Sequence, residues 1–193
     1  LFLGRWGEAS SALDEAGQLA QELGQRSFDS QILLMAALLA GMQGRRDDAR
    51  AHPEHGVARA RTYGVESAPA YAGWARGLIE LADGHYDEAV AVLEPAARCV
   101  DDAGFAEPGI APFRHDLAEA YIRLGRLTEG IETLTALERQ AARSGRRLAR
   151  AGAARCRGLL AGPEDFDAPF RRALAWHDTV PCPFERARTL LYY

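Results

Sequence analysis

Apolar positions recur along this chain with a helical period. Between residues 86 and 103, Ala89, Val92, Leu93 and Ala96 stand at i, i+3, i+4 and i+7, an apolar stripe on one helix face. The longest apolar run, residues 32–42, is too short to cross a bilayer and suits a buried helix. Extended along the chain, the pattern predicts helices in two alternating sets. The first helices cover residues 28–42, 68–83, 112–124 and 147–160; the second helices cover 5–23, 45–63, 86–103 and 127–143. Pro69 and Pro108 sit near helix starts, where proline is tolerated. Pro53 falls inside a predicted helix and is expected to kink or break it.

Punctuation between the helices repeats as well. Gly4, Gly44, Gly84 and Gly125 are spaced 40, 40 and 41 residues apart. From them the chain reads G-R-W-G-E-A, G-R-R-D-D-A, G-H-Y-D-E-A and G-R-L-T-E-G, with a looser fifth copy beginning at Ala161. The motif describes a turn between helices. Glycine takes positive φ at low cost and closes the preceding helix. Trp6, Tyr86 and Leu127, two residues on, are placed to seal the turn. Glu8, Asp48, Glu88 and Glu129 lie in the first turn of the next helix, where its dipole favours an acid. Ala9, Ala49, Ala89 and Gly130 follow, small where two helices approach closely. A helix pair of this kind cannot bury its own apolar face, so neighbouring pairs must stack.

Charge narrows the choice of partner. The net charge is -4, and the 193 residues include no lysine. An acidic chain is a poor wrapper of a polyanion, so no direct nucleic-acid binding by this stretch is expected. Cys99, Cys156 and Cys182 are far apart and odd in number, which predicts reduced thiols and a cytoplasmic setting. No membrane-spanning run and no secretion signal are visible. The opening at Leu1, and a final apolar run without a stop signal, read as a piece of a longer protein.

The order Ala118, Tyr121, Gly125, Leu127 and Gly130 resembles a tetratricopeptide-like repeat, as does Gly77, Gly84, Tyr86 and Ala89. Leu127 replaces an aromatic, the usual proline after the second helix is missing, and the period is longer than usual. The long period resembles the repeats of large ATP-binding, MalT-like regulators of the LuxR family. So does V-P-C-P-F-E-R-A-R-T-L-L-Y-Y, residues 180–193, which is similar to a segment of their last repeats. The resemblance implies an all-α, right-handed α-solenoid of about five helix pairs, forming one domain over residues 1–193. It also implies a sensor and protein-interaction domain, without enzymatic activity or a cofactor of its own. That domain would bind an inducer or a partner protein, and NTPase and DNA-binding modules would lie outside this stretch. A stand-alone adaptor that binds a peptide remains the alternative, and an enzyme on the same scaffold is a further rival.

Several side chains are candidates for chemistry. Tyr71 and Trp74 share a face of a first helix, and Arg114 and His115 lie on the next one. Counted back from Gly84 and Gly125, Trp74 and His115 occupy the same repeat position. First helices line the inner face of such solenoids, so these four residues are the candidate ligand- or partner-binding groove; Trp74 as packing between repeats is the plainer reading. His52 and His55 stand at i, i+3, but Pro53 between them and the lack of a second ligand pair favour an exposed kink over a metal site. Asp116 and Glu119 next to His115 read as surface charge on a first helix, acid–base work being the rival. Arg146, Arg150 and Arg157 read as a solvated or domain-docking stripe, an anion surface being the rival. Cys182, between Pro181 and Pro183, reads as a connector thiol with nothing to activate it.

Overall fold

The computed structural model describes residues 1–104, 109 and 112–193. Pro108 lies outside them. The described residues form ten α-helices and no strand. They are α1 (Trp6–Glu22), α2 (Phe28–Met42), α3 (Arg46–Tyr63), α4 (Ala68–Asp83) and α5 (Tyr86–Asp102) in the first half. The second half holds α6 (Arg114–Arg123), α7 (Leu127–Ser144), α8 (Arg147–Leu160), α9 (Asp167–His177) and α10 (Pro183–Tyr192). The helices gather into two compact units: Leu1 with Arg5–Ala103, and Phe2–Gly4 with Gly104–Tyr193.

Every predicted helix is present, and the turn chemistry explains their ends. Gly4, Gly44, Gly84 and Gly125 all take φ between 72° and 78°. Gly24, Gly64, Gly104 and Gly145, each about 20 residues after one of these, take φ between 66° and 72°, so the punctuation recurs about every 20 residues. At Gly84 the left-handed conformation lets its own N–H and that of His85 reach back to the Leu81 and Glu80 carbonyls, satisfying orphan acceptors of α4. No helix in this set is capped by a side chain at its N-cap residue. Arginine recurs there instead: Arg5, Arg45 and Arg126 pair with Glu8, Asp48 and Glu129 at 3.1, 2.6 and 2.9 Å.

In the first unit α2 packs on α3, α4 packs on α5, and α2 and α3 both cover α4. Leu34, Leu38 and Leu39 of α2 are fully buried, worth roughly 1.5–3 kcal/mol each. The small motif residues behave as expected at Ala49 and Ala89, which have no exposed surface. Gly73 and Gly77 set the approach of α4 to α5: a methyl on Gly73 would stand 2.6 Å from the Val92 carbonyl oxygen. Pro53 does not break its helix, since α3 runs through it from Arg46 to Tyr63. Proline removes a single backbone bond there, and tertiary packing outweighs that loss.

In the second unit α6 pairs with α7 and α8 with α9, while α8 also packs on α6, α7 and α10. Ala118, Leu134, Leu137, Ala149 and Cys156 form its apolar core. Gly130 is buried against Ile122, as the motif requires. Leu127 is 50% exposed and does not seal its turn. The guanidinium of Arg126 lies over the buried Tyr121 ring instead.

Candidate functional site

The four residues assigned to a groove are not alike. Trp74 is 4% exposed, its ring centroid 6.5 Å from that of half-buried Tyr71. From Gly77 to Leu81 the residues of α4 are buried consecutively, because α2, α3 and α5 surround this helix. A helix packed on so many sides leaves little ring surface for a ligand, which favours packing for Trp74. Arg114, in the second unit, is half-buried at the start of α6. His115 is 3% exposed, because Gly152 lets α8 close on it: a methyl at Gly152 would stand 2.7 Å from the imidazole Cγ. As placed, Trp74 and His115 offer almost no surface to solvent.

His115 instead opens onto a buried cluster, not the surface charge expected of Asp116 and Glu119 from the sequence. Asp116 and Glu119 on α6 are 0% and 1% exposed, and Arg155 on α8 is 0% exposed. From α10, Glu185 accepts a 2.6 Å bond from Arg155 Nη1. Arg188 donates to Asp116 at 2.6 Å, to Glu185 at 3.1 Å and to Glu119 at 3.0 Å. His115 Nε2 lies 3.4 Å from Glu185 Oε2 and 3.5 Å from Asp116 Oδ1. Three carboxylates thus meet two guanidiniums and an imidazole in the interior of this unit.

The field of this cluster sets its proton equilibria. Burial would raise the Glu185 carboxyl, but Arg188 and Arg155 outweigh it and hold the group well below the usual carboxylate range. Glu119 is lowered in the same way against its own desolvation. Beside it, burial pushes the Tyr192 phenol up to about 12. His177 on α9 contacts Thr189 on α10, its Nε2 lying 3.0 Å from the hydroxyl oxygen. The hydroxyl's one hydrogen goes to the Glu185 carbonyl at 3.0 Å. The proton in the first contact is therefore on the imidazole Nε2, leaving Nδ1 bare. Burial and the nearby Arg155 push His177 down to about 4, in keeping with that neutral ring. Neither thiol near the cluster is activated: burial raises the Cys156 thiol to about 12 and the Cys182 thiol to about 11.

The remaining candidates resolve locally. Pro53 is buried in α3, while His52 is half-buried and His55 exposed. Among the described residues, Glu80, Asp83 and His85 are the only group of three near enough to share a metal ion. Arg50 already pairs with both carboxylates, and Arg46 with Asp83. Those guanidiniums supply the positive charge that a cation would bring, so the group reads as an ion-pair network closing α4. The arginine stripe divides: Arg146 precedes α8, Arg157 is tied to Glu138, and Arg150 lies over the Trp176 ring.

The sequence reading missed the partnership of α6, α8 and α10. Its one legible trace was Glu185 and Arg188 set among apolar residues, charges on a helix that needs an apolar face.

Residues 80–156 match the family model described as tetratricopeptide repeat. No curated protein and no solved structure matches the chain. The matched span covers α5, α6, α7 and the two motif copies at Gly84 and Gly125. The chain therefore carries a tetratricopeptide-like repeat domain in an all-helical fold, and such repeats serve protein interaction. No described helix is long and apolar enough to cross a membrane.

Proposed function

We propose that this domain is the sensor and protein-interaction part of a LuxR-type transcription regulator, binding an inducer or partner protein and relaying its state to NTPase and DNA-binding modules in the same polypeptide. The 40-residue period and the phrase over residues 180–193 motivate the family. The observation that carries the relay is the anchoring of α10. Glu185 and Arg188, both within that phrase, are buried against Asp116 and Glu119 of α6 and Arg155 of α8. A shift of α6 or α8 on binding must move or break these bonds. The relay requires a second arrangement of α10 for which the ligand has a different affinity.

The test uses the full-length polypeptide. It is expected to bind a nucleotide and to occupy defined promoters in chromatin immunoprecipitation. Arg188→Lys, which keeps the buried positive charge but loses the guanidinium's forked bonds to Asp116 and Glu119, is expected to change transcription from those promoters while promoter occupancy and protein level hold. A full-length chain that neither binds nucleotide nor associates with DNA overturns the regulator reading and leaves the peptide-binding adaptor.

A further inference from the structure

The second unit also carries a groove that the charge cluster does not use. Its floor is alanine: Ala141 from α7 and Ala153 and Ala154 from α8. Arg150, Arg157, Arg172 and Trp176 stand around it, with Glu138, and it encloses about 390 Å3. On α8 the residues Arg150, Ala153, Ala154 and Arg157 fall at i, i+3, i+4 and i+7, so charge, small, small and charge line one face. Leucine at either alanine would fill the recess. The volume lies within the roughly 300–1,000 Å3 of small-molecule sites.

The charges around this recess are not balanced. Arg157 is satisfied by Glu138, which accepts two bonds at 2.8 and 2.6 Å. Arg150 donates to the Ala141 carbonyl at 3.4 Å and lies 5.0 Å from the Trp176 ring centroid. Among the described residues neither Arg150 nor Arg172 pairs with a carboxylate. Two guanidiniums without acid partners thus border an apolar recess in a chain of net charge -4. From Arg150 to Arg157 the wall is about 10 Å long at 1.5 Å per residue. That suits a compact molecule better than an extended peptide.

We propose that this groove binds a small organic anion with a flat apolar body. The carboxylate or sulfonate pairs with Arg150 and Arg172, whose planar forks suit such oxygens. The ring system lies against Trp176 and the alanine floor. Binding of this kind goes beyond the regulator reading and does not depend on it, since it is measured on the chain itself.

Naphthalene-2-carboxylate is the probe and naphthalene-2-methanol its neutral counterpart, each titrated calorimetrically into the chain at one ionic strength. The carboxylate is expected to saturate a single site and to bind roughly tenfold tighter than the alcohol, the scale of one charge-assisted hydrogen bond. Arg172→Gln, at an exposed position, is expected to remove most of that difference and leave the alcohol unchanged. Ala154→Leu is expected to block both ligands by filling the recess. Arg143→Gln, an exposed arginine outside the groove, is expected to change neither. Equal affinity for the two ligands, no saturable binding, or an Arg172→Gln variant equal to the parent overturns the proposal. If Ala154→Leu does not fold, the Arg172→Gln comparison decides alone.

Discussion

Arg155 is the largest side chain in the described structure without exposed surface, and its charge is offset by Glu185 at 2.6 Å. Taking such a pair out of water costs about as much as the pairing returns, so its presence is weak evidence of stability. Removing one member is different, because the other is left buried and uncompensated. Arg155→Met leaves three carboxylates against one guanidinium and is expected to lower stability by about 3–5 kcal/mol. Adding Glu185→Leu returns the balance to two carboxylates against one and is expected to recover much of the loss. Urea unfolding of the single and double variants measures both; a single variant within about 1 kcal/mol of the parent would show that the cluster does not hold the unit together. The cysteines permit a second check at this scale. Cys99 is half-buried, whereas Cys156 and Cys182 are buried with raised thiol pKa values. With Ellman's reagent at pH 8 only Cys99 is expected to react in the native chain, and all three in denaturant. Rapid native reaction of a second thiol would contradict the burial.

The helix pairs were legible because their signals are local. A glycine at positive φ, an acid one turn on and a small residue after it occupy six consecutive positions, so the chain announces each hairpin without its neighbours. The half-period glycines Gly24, Gly64, Gly104 and Gly145 carry no such companions, and only their φ values place them in the same series. The charge cluster was illegible for the opposite reason. Arg188 meets Asp116 across 72 residues, and no short window contains both. Burial also separates copies of one motif position: Ala89 has no exposed surface, but Ala9 is half-buried. Ala89→Phe is therefore expected to overpack α5 and cost about 1–3 kcal/mol. Ala9→Phe is expected to cost clearly less, since among the described helices α1 packs mainly on α2, whereas α5 lies against the buried α4. Equal shifts in thermal midpoint for the two variants would mean that motif position, not packing, sets the cost.

At the scale of the whole chain, burial makes stability a function of pH through groups that do not titrate as free side chains do. His177 is neutral when folded and is pushed down to about 4; an unfolded histidine titrates near 6.5. Above pH ~6.5 both states are neutral and the group is silent. As the pH falls from there towards 4, the unfolded chain takes up a proton that the folded chain refuses, so stability declines; below 4 both carry it and the decline stops. The full span is on the order of 3 kcal/mol. Glu119 and Glu185 act lower on the scale. Their folded values are depressed, so their contribution is complete above about pH 4.3 and is lost as the pH falls through the folded values. Acid unfolding should therefore come in two stages, the histidine first. His177→Gln keeps a neutral polar side chain and removes the titration. Between pH 6.5 and 4.5 the parent is expected to lose roughly 2–3 kcal/mol more than this variant in urea titrations. The substitution's own cost shifts the whole curve without changing its slope, so only the slopes are compared. Parallel curves for parent and variant would show that His177 takes its proton as readily in the folded chain as in the unfolded one.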